Sequence, residues 1–243
     1  MNDRKSTRHD LTPQARQAII KWIAQSAGGL VAYGVILFLA AGSLDWVWGW
    51  VFLVLLAAFL IAHPLILVPT NPDLLVERGK GICDEGVKRW DKWVASLAGG
   101  VMPFISWIVA GLDLRFGWTG SIPLAYHLVG VIGMALGFGL FLWAMAANAY
   151  FSEGVRIQNE RGHTVATGGP YHYVRHPGYS GAILAQLSTP LLLGSFWAAI
   201  PSVASAAMYV VRTSLEDKTL KEELPGYRDY TQQTRYRLLL WVW

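Results

Sequence analysis

Between Gly162 and Gly181 the chain reads GHTVATGGPYHYVRHPGYSG, a stretch denser in functional side chains than a plain helix connection requires. Its centre is Val174-Arg175-His176-Pro177. Pro177 suits a first helical turn, because its φ is fixed and it has no N–H to leave unpaired. The start of such a helix, beside Arg175, offers free amides and positive potential to a carboxylate or phosphate. Gly168-Gly169-Pro170 allows a tight turn and close approach of backbone to a ligand. Tyr171, Tyr173 and Tyr179 supply flat faces for an aromatic ring or a cation. An isolated Arg-His-Pro would serve as an interfacial anchor, with Arg snorkelling to the headgroups. Within this Gly- and Tyr-rich setting it reads as a site.

Further along, Glu216 and Asp217 follow Arg212 at helical spacing. They are placed either to accept hydrogen bonds from hydroxyl or amino groups of a ligand or simply to pair with Arg212. Glu222 and Glu223 read as a solvated face. His163 is open to two readings, a ligand contact or a loop histidine bonded to nearby backbone. Together these residues describe a pocket for an anionic or zwitterionic ligand, without naming a reaction.

The elements that must position them are membrane helices. Hydrophobic residues make up 53% of the 243-residue chain and charged ones 15%. Uncharged runs cover Trp22–Leu44, Trp46–Pro72 and Trp93–Leu112, each near the ~20 residues a helix needs to cross the hydrocarbon core. The longer run Phe116–Ser152 predicts one tilted span over Pro123–Asn148, rich in Gly and Ala, with Gly133 and Gly137 four apart for close helix approach. Pro177–Val211, broken by Pro190, Gly194-Ser195 and Pro201, predicts two short helices in a hairpin. The second continues to Leu224, where Pro225-Gly226 ends it. The expected fold is thus all-α and polytopic, with about six membrane helices and a cytoplasmic C-terminal helix. Residues 1–112 read mainly as a three-helix scaffold interrupted by His63-Pro64, and residues 113–243 as the functional part. The loop over 70–92 is polar enough to lie across a cytoplasmic opening but carries no motif.

Of the twenty Lys and Arg, only Arg115 falls on the side opposite the termini. The positive-inside rule therefore predicts that both termini and the Gly162–Gly181 segment face the cytoplasm. The excess of +4 is topological and suggests no nucleic-acid partner. A polar start to Lys21, followed by a full-length apolar run, does not read as a cleaved signal peptide. A single cysteine, Cys83, allows no intrachain disulfide and no cysteine-based metal cluster, and no metal is expected. Metalloprotease, serine-hydrolase, P-loop and dinucleotide-binding motifs are missing from the chain.

Over about residues 150–240 the sequence resembles the isoprenylcysteine carboxyl methyltransferase and phospholipid methyltransferase group of integral membrane enzymes. The segments that carry the resemblance are GHTVATGGPYHYVRHPGYSG, LLLGS at 191–195, the acidic pair Glu216-Asp217 and GYRDY at 226–230. Two departures stand out: the pair is Glu-Asp where Glu-Glu is usual, and the tail RYRLLLWVW lacks a Pro common in relatives. The resemblance implies that the C-terminal half encloses S-adenosylmethionine while a lipophilic substrate enters from the bilayer. It implies a cofactor pocket of His163, Val165, Tyr171, Val174, Arg175, His176, Pro177, Tyr179, Glu216 and Asp217. Arg175 and His176 are the expected catalytic residues, Arg175 orienting a carboxylate.

Carboxyl O-methylation of an isoprenylcysteine-like acid is the leading expectation. A carboxylate acceptor needs no general base, so positioning and desolvation provide the acceleration. Phospholipid N-methylation is the alternative, and there His176 is available as the base an amine requires. A third reading, from similarity to the C-terminal parts of sterol reductases, is a protein binding NADPH. A membrane scaffold with a dead site is the fourth.

Overall fold

The computed structural model describes residues 13–82 and 86–243. Cys83 and the polar N-terminal residues 1–12 lie outside the described residues. Among the described residues the fold is all-helical, without strands.

Helix α1 (Pro13–Ala41) runs into α2 (Val47–Thr70) through a tight corner at Gly42. Pro64 and Pro69 lie within α2, and the imidazole Nδ1–H of His63 donates to the Phe59 carbonyl at 2.8 Å. A short helix, α3 (Pro72–Arg78), follows directly. The Asn71 side chain caps it by accepting from the Leu74 amide at 3.2 Å, and Pro72 fills the first turn. This capped turn folds the chain back under the helices and ends on Arg78.

Arg89–Phe116 is one apolar rod of 28 residues, longer at both ends than the uncharged run Trp93–Leu112. It consists of α4 (Arg89–Ser96), a π-helical turn (Leu97–Val101) and α5 (Met102–Phe116). The π turn has a local cause. Pro103 has no N–H for the Gly99 carbonyl, and the Met102 amide reaches back five residues to Leu97 O.

Helix α6 (Leu124–Ala147) coincides with the expected Pro123–Asn148 span. It packs on α7 (Pro177–Leu193) through glycines. A methyl group on Gly137 would lie 2.6 Å from the Ala185 amide nitrogen, and one on Gly181 would lie 2.7 Å from the Phe141 nitrogen. Gly130 and Gly133 extend the same face, so the stripe includes Gly130 as well as the Gly133/Gly137 pair. Contact of backbone against backbone is how helices associate where lipid removes the hydrophobic drive.

Helix α7 ends at Gly194, whose φ of +79° favours glycine. Helix α8 (Ala199–Glu223) then packs back on α7 and α5, and α9 (Tyr227–Gln233) closes the chain before an irregular tail. Among the described residues, four helices are long and apolar enough to cross a membrane: Ile19–Ala41, Val47–Thr70, Arg89–Phe116 and Leu124–Ala147. These helices make the chain an integral membrane protein. Helix α7 is 17 residues and α8 is charged from Arg212 onward, so neither adds a simple full-length span.

Candidate active site

The stretch between α6 and α7 has no regular ladder, so side chains hold it. Buried Gln158 donates through Nε2 to Tyr150 O at 3.0 Å and to Ser152 Oγ at 3.2 Å. Arg156 joins Glu77 and Glu160, tying the stretch to α3. The C-terminal tail then binds the segment just ahead of α7. The amides of Arg175 and His176 donate to Tyr236 O and Arg237 O, each at 2.9 Å, and Ser180 Oγ donates to Leu238 O at 2.6 Å. The two amides just ahead of α7 are therefore engaged in the tail's docking.

These elements surround a cavity of about 740 Å³. One end is polar and aromatic, lined by His163, Tyr171, His176, Tyr179 and Glu216 with Tyr227 and Tyr230. The other end is apolar, where Tyr33, Val101, Phe104 and Trp107 meet the Gly99-Gly100 backbone of the π turn. Tyr33 stacks edge-on against Trp107 at 5.1 Å, and Tyr33 and Val101 are also exposed at the surface of the helices.

Of the residues expected to bind cofactor, His163, Val165, Tyr171, Arg175, His176, Tyr179 and Glu216 line this cavity. Val174 and Pro177 are buried behind it, and Asp217 points away from it. The acidic pair is divided because successive residues on a helix point about 100° apart. Glu216, on the stripe of Arg212 and Leu220, faces the cavity and accepts from the Tyr179 hydroxyl at 2.5 Å. Asp217 accepts from Arg175 Nε at 2.8 Å, Arg237 Nε at 3.1 Å, Lys221 Nζ at 2.8 Å and the Tyr227 hydroxyl at 3.1 Å. His176 Nε2 stands 3.5 Å from it. Burial opposes the Asp217 charge, yet His176, Lys221 and Arg175 hold its carboxyl well below the usual range.

Arg175 is consequently a structural centre. Besides Asp217, its Nη1 donates to the carbonyls of Thr234 and Arg235 at 2.9 and 2.7 Å. Nor does Arg212 pair with the acidic residues one turn on. It forms a bidentate bond with Asp91 of α4, Nε to Oδ1 at 2.7 Å and Nη2 to Oδ2 at 2.9 Å, and also donates to Glu153 O. Its guanidinium lies 5.0 Å from the Tyr179 ring.

His163 lines the cavity, and its Nδ1 accepts from the Gln158 amide at 3.3 Å, the backbone bond that one of its two sequence readings expects. Burial, with Arg161 and Arg156 nearby, lowers its pKa to about 4, so the ring is neutral near pH 7. Burial and the Asp217 charge push the Tyr227 hydroxyl above its ordinary value. Tyr230, which donates to Tyr171 O at 2.6 Å, is pushed up to about 12 by burial.

Several lining residues escaped the sequence reading: Arg78, Asn148, Tyr150, Arg212, Tyr227 and Tyr230. For Arg212 the signal was its four-residue spacing from Glu216, and for the two tyrosines the GYRDY segment itself. Arg78 falls in the 70–92 stretch read as a loop without a motif, which the structure corrects: its first part is the capped helix α3, ending on Arg78, and its last residues begin α4. Among the described residues, no group of three or more His, Cys, Asp or Glu side chains is placed to hold a metal ion.

Residues 130–222, which span α6 to the end of α8, match the isoprenylcysteine carboxyl methyltransferase family. A protein-S-isoprenylcysteine O-methyltransferase of Schizosaccharomyces pombe (strain 972 / ATCC 24843) is 41% identical over 68 residues. That similarity covers 26% of this chain and 29% of the yeast protein. The α6–α8 region, on which much of the cavity is built, is therefore similar to the isoprenylcysteine carboxyl methyltransferase family, and the chain spans less than a third of the length of the yeast protein it matches.

Proposed function

We propose that the protein transfers a methyl group from S-adenosylmethionine to the carboxylate of an isoprenylcysteine-like lipophilic acid. The observation that carries this reading is the two-ended cavity, polar and aromatic where α7 and α8 meet, apolar where the π turn meets α1. Its volume lies within the range of small-molecule sites.

The residues present fit the cofactor. Glu216 offers a carboxylate to an amino group or ribose hydroxyls, and Tyr171, Tyr179 and Tyr227 offer ring faces to an adenine or a sulfonium. Neutral His163 adds a hydrogen-bonding ring without a repelling charge. When bound, the cofactor supplies an electrophilic methyl group. The chain's own part is to orient that group, exclude water and align the acceptor. Arg175, engaged by Asp217 and the tail, acts as a positioning residue that holds His176 and the start of α7 in place.

The membrane-facing apolar end suits a prenyl chain entering from the bilayer. The site, both termini and the charged end of α8 are assigned to the cytoplasmic side, with α7 and the first half of α8 completing about six membrane-embedded helices. Phospholipid N-methylation is the second reading, supported by His176 beside Glu216 at 4.0 Å. The arginines around the cavity favour an anionic acceptor over a protonated amine.

The test is calorimetric binding of S-adenosylhomocysteine to detergent-purified protein, followed by transfer of labelled methyl to an N-acetylated S-prenylcysteine. Micromolar binding that falls at least tenfold in Glu216→Ala, with label in a base-labile ester, is expected. Binding of NADPH in place of the nucleoside overturns the reading and favours a reductase.

A further inference from the structure

Four arginines line the cavity, and three of them are tightly matched. Arg175 is paired with Asp217, Arg212 with Asp91, and Arg156 with Glu77 and Glu160. Arg78 differs. Its Nη1 donates to Phe151 O at 3.1 Å, and its one acidic partner among the described residues, Glu153, lies 3.4 Å from Nη2. The Arg78 side chain is only 10% exposed, whereas Glu153 is 37% exposed. Arg78 Nε is buried with no partner among the described residues. Among the described residues, one other buried side-chain polar atom lacks a partner, the indole nitrogen of Trp107, and it too belongs to this cavity's lining.

A buried guanidinium with an unmatched donor is costly unless something completes it. Burial and the neighbouring charge of Arg212 both disfavour the protonated form, and Glu153 offsets them only in part. The flanking rings of Phe141 and Phe151, at 6.0 and 5.7 Å, hold the planar group in place and keep water from it. Arg78 also stands at the right point along the cavity. It lies beside Phe141 and Phe151, and Phe151 in turn packs against Gly178, the residue before Tyr179 at the start of α7.

We infer that Arg78 binds the carboxylate of the methyl acceptor, with Glu153 holding its place until the acceptor arrives. This rests on the methyltransferase reading and adds to it a residue outside the family match at 130–222. A planar fork suits a carboxylate in two-point contact, and a lone pair of one oxygen facing away from the fork would form the new O–CH3 bond as the sulfonium S–CH3 bond breaks, its electron pair remaining on sulfur in the neutral thioether. No proton has to be removed, and the ester formed is neutral, so it loses its hold on Arg78 and can leave.

The experiment compares an N-acetylated S-prenylcysteine with its carboxamide, each binding to the full chain in the presence of S-adenosylhomocysteine. The wild type should prefer the acid by about tenfold or more. In Arg78→Gln this preference should collapse, with affinity for the carboxamide and for S-adenosylhomocysteine held within about twofold. Arg78→Lys, which keeps charge but loses the fork, should lie between, and it serves if Arg78→Gln does not fold. Glu153→Gln should leave acid affinity equal or raise it. An acid preference that survives in Arg78→Gln or in Arg78→Lys unchanged, or one that falls equally in Glu153→Gln, overturns the assignment. A wild type that binds no S-adenosylhomocysteine but prefers the acid through Arg78 refutes the cofactor reading and leaves the anion site standing.

Discussion

Replacing Asp91 with Asn changes a few atoms and should unseat much of the site. Asp91 is fully buried and accepts three hydrogen bonds: Arg212 Nε at 2.7 Å, Arg212 Nη2 at 2.9 Å and the Val155 amide at 2.7 Å. It thereby ties α4 to α8 and to the stretch between α6 and α7. Asparagine keeps one acceptor and turns a donor toward donors, which leaves Arg212 buried with its charge uncompensated. Breaking a buried pair from one side costs about 3–5 kcal/mol. At about 2–4 °C per kcal/mol for a chain of this size, Asp91→Asn should lower the midpoint of thermal unfolding in detergent by roughly 6–20 °C. Removing both partners separates the charge from the fold. Asp91→Leu with Arg212→Met leaves no unpaired ion, so most of the lost midpoint should return. Methyl transfer should not return with it, because Arg212 lines the cavity and packs on Tyr179. A midpoint for Asp91→Asn within about 2 °C of wild type, or a double variant no more stable than the single one, would show that the pair does not hold these elements together.

Two further outcomes follow from the packing and the charges. Gly137→Leu should largely abolish recovery of monodisperse protein, since even a methyl there meets Ala185 backbone at 2.6 Å, while Gly139→Leu, with nothing within 4 Å, should purify normally; equal yields refute the α6–α7 contact. Asp217 has a folded proton affinity below its unfolded one, so its stabilisation is complete above the ordinary carboxylate value of about 4 and is lost as pH falls through the lowered folded value. The deficit of Asp217→Asn relative to wild type, followed by thermal unfolding, should be constant from about pH 8 to pH 5 and shrink below about pH 4; a deficit unchanged at about pH 3 refutes the assignment.

What the sequence made legible was what short-range rules govern. Apolar run length placed α2 and α6 nearly to the residue, and the Pro225-Gly226 break ended α8 where expected. The motif residues before α7 do meet the α8 face that carries Glu216, since both sit at helix positions set by local spacing. What stayed hidden depends on partners far along the chain. Arg212 was weighed against an acid four residues away, but it pairs with Asp91, 121 residues distant. Arg175 looked free for a ligand because nothing in its own segment marks the tail carbonyls that occupy it. Residues 1–112, expected mainly as scaffold, contribute Arg78 and the π turn to the cavity. The Glu-Asp departure from the usual Glu-Glu also acquires a physical meaning. The first position must reach into the cavity, whereas the second meets Arg175, Lys221 and Arg237 in a closed setting. The shorter Asp arm fits where the cations already surround it. The acidic pair is thus two separate devices set side by side by the helix, one facing the cavity and one anchoring the tail that holds Arg175.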